Sequence, residues 1–445
     1  MSTNEILGLI MLFGMVGVIF IGFPISFTLL FLAFVFGSIG IGADQTFNLA
    51  YLQIWGTMKE DILPAVPLFI FMGYMTEQAG LMERLFVALR HLLAPVRGSL
   101  YLAVILTATI FAMATGIVGA AVTVLGIMAG PIMIKAGYDA RLSAGAIAAG
   151  GTLGILIPPS VMLVVMGPTM GIPVNMLYSA AIGPGFLLAG AYIVYSMVRS
   201  FWNPALGPPV PMEERAHDFR LVIKEFLLGV VPLAGLIGFT LGTILAGLAT
   251  PTEAASCGAF GATLLALLYG KLTRTALFNA AVNTMVTSSM VLLLAVSSNV
   301  FGAVFTQLGT ASVITKTLVG LPIADIWKLS LIMFLIFVLG WPFEWPAVVL
   351  VFLPIFLPVV ENLQLGMTKF EMLVWFGALV AVNLQTAFLS PPVAMSAYYL
   401  KNVVPQWSLA TIYRGMADYM VIQVVVLIAI IMFPSIALWL PLALR

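Results

Sequence analysis

The sequence predicts an all-α polytopic membrane protein made of two inverted-topology repeats, and three observations carry that reading. First, the 445 residues are 62% hydrophobic and only 8% charged, with a mean hydropathy of +1.15, which no water-soluble domain tolerates. Second, Gly150-Gly151-Thr152-Leu153-Gly154-Ile155-Leu156-Ile157-Pro158-Pro159-Ser160 interrupts an apolar run at about 142–167. Proline removes a backbone donor and glycine weakens the ladder, so the helix must break. Third, Asn383-Leu384-Gln385-Thr386-Ala387-Phe388-Leu389-Ser390-Pro391-Pro392 does the same inside a run at about 372–397. Freed carbonyls at mid-bilayer depth are tolerated only beside protein, water or an ion. Two such breaks in matching places point to a secondary transporter that binds its cargo there.

Taken in order, about 6–21 and 25–41 read as two crossings joined by Gly22-Phe23-Pro24, then 42–61 as a polar, Trp-containing loop, then 63–79 as a third crossing. Glu83, Arg84, Arg90, His91 and Arg97 on a background of Leu85, Phe86, Leu89, Leu92 and Leu93 predict an amphipathic arm along the interface. Residues 99–135 form two limbs of about 16 residues around Thr115-Gly116-Ile117-Val118-Gly119, each too short to cross comfortably, so they predict a re-entrant hairpin. The broken helix at 142–167 and a crossing at 178–198 complete a first repeat, 1–198. Residues 199–225 hold four prolines and seven charges among 204–225 and read as a linker. The second repeat, 226–445, follows the same order, with a hairpin at about 326–361 whose tip is Trp341-Pro342-Phe343-Glu344-Trp345 and a broken helix at about 372–397. Pro24 and Pro251 are 227 apart, as are Pro131 and Pro358, and Pro158 and Pro391 are 233 apart. Ten crossings and two opposed hairpins result.

With the linker in the cytoplasm, 13 of the 18 Lys and Arg residues fall on that side, as the positive-inside rule requires. Both termini are then periplasmic, in a multi-pass protein of the bacterial inner membrane. A net charge of +1 implies membrane lipid and no nucleic acid as surroundings. The single cysteine, Cys257, excludes an internal disulfide. His91 and His217 lie in charged surface segments, and the spans carry no His, Asp or metal-ligand cluster, so an enzyme embedded in the membrane is not expected.

Gly151-Thr152-Leu153-Gly154 with Ile157-Pro158-Pro159-Ser160, together with Thr250-Pro251-Thr252-Glu253 and Ser390-Pro391-Pro392, resembles the large membrane subunit of tripartite ATP-independent periplasmic (TRAP) transporters across essentially the whole chain. The resemblance implies an elevator-type, sodium-coupled importer of organic acid anions, of the C4-dicarboxylate, sialic acid or 2-oxo and other monocarboxylate class. It implies two partners, a small four-helix membrane subunit, here a separate chain, and a periplasmic substrate-binding protein. The first tip, Ala114-Thr115-Gly116-Ile117-Val118-Gly119, lacks the serines usual in the family, which leaves backbone ligands there. A single-component sodium/carboxylate symporter is the alternative.

Half-helix N-termini carry partial positive charge and suit a carboxylate, whereas C-terminal carbonyls and hydroxyls suit a small hard cation. One sodium site per repeat is expected, at Thr115, Gly116, Gly151, Thr152 and Pro158, and at Trp341, Glu344, Asn383, Thr386 and Ser390. Gly154, Ser160, Thr115, Thr386 and Pro391 are the substrate candidates. Glu344, an intramembrane carboxylate, is read as an ion ligand, a proton carrier or a helix cap. Glu253 is read as a first-turn cap, and Trp407 and Trp439 as interface anchors.

Overall fold

A computed structural model describes residues 1–209, 219–391 and 394–444, and among these every regular element is helical. The first part of the chain runs through α1 (Thr3–Phe20), α2 (Ile25–Gly40), α3 (Ala43–Met58), α4 (Ala65–Gln78) and α5 (Leu81–Leu92). It continues into a helix pair, α6 (Ser99–Thr115) and α7 (Val118–Lys135), turned at Gly116 with φ +60°. Next come α8 (Ala140–Thr152), a 3-10 turn at Leu153–Ile155, an irregular stretch with a cis Pro158–Pro159 bond, α9 (Val161–Met170) and the long α10 (Val174–Trp202). The later part comprises α11 (Phe219–Leu245), α12 (Pro251–Leu268), α13 (Arg274–Gln307) and α14 (Thr310–Val319). A second pair follows, α15 (Asp325–Leu339) against α16 (Trp345–Ala347), which runs through a π turn at Val348–Phe352 into α17 (Leu353–Val360). Then come α18 (Lys369–Leu384), α19 (Thr386–Leu389), α20 (Met395–Val403), α21 (Leu409–Met432) and α22 (Ser435–Ala443).

The broken helices sit at the centre. Every residue of α8 from Leu142 to Thr152 is buried, and so is every residue of α18 from Met372 to Leu384. A helix apolar or small on all sides is stable only when wrapped by others, and here α6, α7 and α21 wrap α8 while α10, α15 and α21 wrap α18. Approach is close because the contact residues lack side chains. A Cβ on Gly415 of α21 would lie 2.0 Å from the Arg141 carbonyl oxygen of α8, and one on Gly145 would lie 2.6 Å from the Gly415 carbonyl. Arg141 also pairs with Asp418 at 2.5 Å.

Three sequence expectations change. Residues 43–58 are the helix α3, not a loop; Thr46, Ala50 and Thr57 bury on one side while Phe47, Tyr51, Trp55 and Met58 point outward, so the scattered polar residues concealed a helical period. Seven helices among the described residues are long and apolar enough to cross a membrane by themselves, and shorter apolar helices such as α2, with 16 residues, stand beside them. The linker is shorter than 199–225, because α10 continues to Trp202 and α11 begins at Phe219. Its residues 210–218 lie outside the described set, and the part before them is pinned, with Leu206 accepting hydrogen bonds from the Tyr101 hydroxyl (2.6 Å) and the Asp139 amide (3.1 Å). Trp407 is 5% exposed and so is no interface anchor, whereas Trp439 is 54% exposed.

The amphipathic helix expected at α5 is present, burying Leu81, Leu85, Phe86 and Leu89 while Arg84 stands 3.6 Å from Glu225 of α11. Thr250 and Glu253 form a reciprocal capping box at the start of α12, the Thr250 amide donating to Glu253 at 2.8 Å.

Overpacking at the α8–α21 crossing should be costly. Gly415→Ala is expected to destabilise the protein by about 1–3 kcal/mol, seen as a lowered Tm of the detergent-purified chain. Gly302→Ala, where nothing lies within 4 Å of the added carbon, should be near neutral; equal effects of the two would contradict the crossing.

Candidate functional site

The two helix pairs and the two broken helices meet at a cavity of about 430 Å³. Its wall is built from the tip residues Gly116 to Ala120, Glu344 and Trp345, from Ile155 and Val161 at the first break, and from Phe388 and Met395 at the second. Tyr74 and Glu77 of α4 and Thr287 and Met290 of α13 close the opposite side, where the Tyr74 and Thr287 hydroxyls lie 3.2 Å apart.

Four helices begin at this cavity: α7 at Val118, α9 at Val161, α16 at Trp345 and α20 at Met395. Their N-cap residues are Ile117, Ser160, Glu344 and Ala394, and none supplies a side-chain hydrogen bond to its first turn. Six helices that start elsewhere are capped, from Ser2, Asp139, Thr250, Thr273, Thr368 and Ser408, while α2 to α6, α10, α14 and α15 are not, so what sets the four starts apart is that they meet at one cavity. A helix start carries roughly half a positive charge and several unpaired N–H groups. Four uncapped starts that converge on one cavity can therefore hold an anion by backbone alone. Lys, Arg and His are absent from its lining among the described residues, while Glu77 and Glu344 are present.

The first tip rests on the first break. A Cβ on Gly116 would stand 3.5 Å from the Pro159 carbonyl oxygen and from the Val161 amide, and one on Gly154 would stand 3.6 Å from the Ile117 amide. The hydroxyls near the breaks are engaged with freed backbone. Ser160 donates to the Ile155 carbonyl (2.5 Å), Thr386 to that of Asn383 (2.6 Å) and Ser390 to that of Thr386 (2.6 Å). Such bonds give carbonyls beside the breaks a polar partner, although that of Thr386 also accepts the Ser390 amide at 2.9 Å.

The expected site residues distribute unevenly. Gly116 and Glu344 line the cavity, and Glu344 occupies an N-cap position without capping. Gly154 and Ser160 lie just behind its wall, which their neighbours Ile155 and Val161 form. Gly151 packs on Val122 of α7. Thr152 points away from the cavity, its one hydroxyl proton shared between the Ala149 carbonyl (2.8 Å) and Gln385 Oε1 (3.1 Å). Asn383 donates to the Met333 carbonyl (2.7 Å) and faces an apolar outer pocket of about 620 Å³ between α15 and α21. Trp341 is 39% exposed and meets Phe337 edge to face, so Trp345 and not Trp341 is the cavity tryptophan. Pro158 lies in the irregular stretch and Pro391 is exposed; Pro392 and the Thr115 side chain lie outside the described residues.

Sequence reasoning passed over Glu77, Tyr74 and Tyr399 in the cavity. The signal for Glu77 was there, since it is a carboxylate within an apolar helix, as Glu344 is within an apolar tip. No group of three or more His, Cys, Asp or Glu residues able to hold a metal occurs among the described residues.

Comparison with known proteins gives one consistent answer. The sequence profile described as "Tripartite ATP-independent periplasmic transporter, DctM component" matches residues 11–436. The sialic acid TRAP transporter large permease protein SiaM of Vibrio cholerae is 28% identical over 97% of each chain. The C4-dicarboxylate TRAP transporter large permease protein DctM of Pseudomonas aeruginosa is 27% identical over 89% of this chain and 90% of its own. The crystal structure of the YdaH transporter of Alcanivorax borkumensis shares the fold, with a TM-score of 0.64 at 15% identity over 99% of each chain. These relatives are named as transporters, not as enzymes.

At the second break Ala394, which starts α20, has φ +30°, a left-handed conformation rare for a residue with a Cβ. Ala394→Gly is expected to stabilise the protein by about 1 kcal/mol, readable as a higher Tm; a lowered Tm would mean that the strain is absent.

Proposed function

Since the chain belongs to the DctM component family of tripartite ATP-independent periplasmic transporters, we propose that it is the large membrane subunit of a sodium-coupled importer of organic acid anions. Its relatives' names span sialic acid, C4-dicarboxylates and isethionate, all acids carrying an anionic group. The observation that carries the reading is the cavity with four uncapped helix starts and no basic side chain among the described residues. Backbone dipoles recognise a carboxylate or sulfonate without committing to the rest of the molecule. This suits a family in which a separate periplasmic protein selects the substrate.

The charges favour co-transport of cations. Four helix starts contribute about two positive charges, and Glu77 and Glu344, when ionised, offset them, so an entering anion needs a partner ion. Sodium bound where each tip meets its break, near Gly116, Pro158 and Gly154 and near Glu344, Thr386 and Ser390, would supply that charge. It would also hold the tips closed over the substrate. In this reading the pairs and broken helices move as one body between the two membrane faces, in an elevator-type exchange between inverted repeats.

The small membrane subunit is assigned to the outer faces of residues 1–79 and 226–308. There Phe27, Phe31, Tyr51, Phe260, Phe278 and Met285 are all more than half exposed. A fused permease such as SiaT of Haemophilus influenzae, of which this chain matches 66%, is in keeping with such a partner. The linker is assigned to the cytoplasm of a bacterial inner-membrane protein, with both termini periplasmic; a cysteine placed at 203–209 should be labelled from the cytoplasmic side only.

The test is uptake in proteoliposomes that hold the complete set of subunits. Uptake of the acid is expected to need a sodium gradient and the binding protein, and a bulky apolar replacement of Thr386 should raise the half-saturating sodium concentration. Transport driven by a proton gradient without sodium would overturn the ion assignment and make Glu344 the leading proton carrier. Transport without the binding protein would favour a single-component symporter.

A further inference from the structure

Behind the cavity the two breaks are joined by a sealed knot of polar side chains. Thr152 ends α8, Gln385 follows α18, Tyr192 lies in α10 and Gln423 in α21, and all four are 0% exposed. None of them lines the substrate cavity. The Thr152 hydroxyl donates to Gln385 Oε1 at 3.1 Å, and the Tyr192 hydroxyl faces both Thr152 and Gln423. Yet Tyr192 Oη, Gln385 Nε2 and both polar atoms of the Gln423 amide make no hydrogen bond of normal geometry. A buried polar atom without a partner costs about 1–3 kcal/mol. Several orphans grouped at one point mark a missing ligand.

The surroundings decide what kind of ligand that is. Two half-helices, α8 and α18, both end at this knot, so their negative C-terminal poles converge on it. The side chains offer four oxygens, Thr152 Oγ1, Tyr192 Oη, Gln385 Oε1 and Gln423 Oε1, all hard and all uncharged. A divalent ion would require carboxylates, and an anion would meet two negative poles. A small monovalent cation fits both the donors and the field. Thr152 and Gln385 are also 233 residues apart, the spacing of Pro158 and Pro391, so the site falls between corresponding points of the two repeats.

We propose that Thr152, Tyr192, Gln385 and Gln423 form an additional site for a small monovalent cation of the sodium type, distinct from those at the tips. It rests on the reading of the protein as a sodium-coupled transporter. Held there, the ion ties the first break to the second and to the wrapping helices α10 and α21, so that loading one break is felt by the other.

The test uses the complete reconstituted transporter with three forms of this subunit: unaltered, Gln423→Leu and Gln423→Glu. Uptake is measured against sodium concentration, and the Tm of the purified membrane complex is compared in sodium chloride and choline chloride. Gln423→Leu is expected to raise half-saturating sodium about tenfold, a change of about 1.4 kcal/mol, and to lower the Hill coefficient. Gln423→Glu, which adds a negative charge to the cage, is expected to lower half-saturating sodium and to enlarge the sodium-dependent rise in Tm. It also decides the matter if the leucine variant does not fold. An unchanged sodium dependence in both variants, with equal losses of Tm in the two salts, would overturn the site and leave buried water as the occupant. Sodium-independent uptake by the unaltered transporter would overturn the coupling reading and this site with it.

Discussion

The structure depends on backbone polar groups that a membrane interior cannot leave unpaired. An unbroken helix satisfies its own amides and carbonyls; a helix that stops in mid-membrane exposes up to four of each. This protein stops helices at its centre and answers each loose end differently. Carbonyls at the breaks are covered by the hydroxyls of Ser160, Thr386 and Ser390. Amides at Val118, Val161, Trp345 and Met395 are left without side-chain caps and face a cavity. Paired ends hold the fold together, and the ends without side-chain caps are the ones proposed to bind.

Packing follows from that division. For broken helices to be shielded from lipid, others must come close, and closeness is obtained with glycine at Gly145 and Gly415 between α8 and α21, and at Gly151 against Val122 of α7. The tip Gly116 takes φ +60° and so lets α7 start directly over the first break. The sheath is plainer, with α1, α11 and α13 turning large apolar side chains outward, as Phe13, Val231 and Met285 do. The proposed site thus sits in the tightly built centre, and the sheath turns apolar surface outward.

Much of this was legible in the sequence because glycine and proline pairs inside apolar runs have few meanings in a membrane. Both breaks, both helix pairs, the arm at α5 and the capping box at Thr250 follow from local residue chemistry alone. The family followed from Gly151 to Ser160 read as a unit. What was not legible depended on side-chain direction and on distant partners. In the turn 341–345 two tryptophans look alike, and only the fold shows that Trp345 enters the cavity while Trp341 lies outside, edge to face with Phe337. Helix α3 was hidden because polar and aromatic residues share its outer face. Gln423, a single amide in the apolar α21, gains meaning only beside Tyr192 and Gln385.

The central claim is that helix starts, and not basic side chains, hold the transported anion. A cryo-electron microscopy map of the assembled transporter with a bound organic acid tests it most directly. The account predicts the acid group within about 3 Å of main-chain amides at the starts of α7, α9, α16 or α20. An acid group held instead by lysine or arginine side chains, with those four helix starts empty, would contradict it.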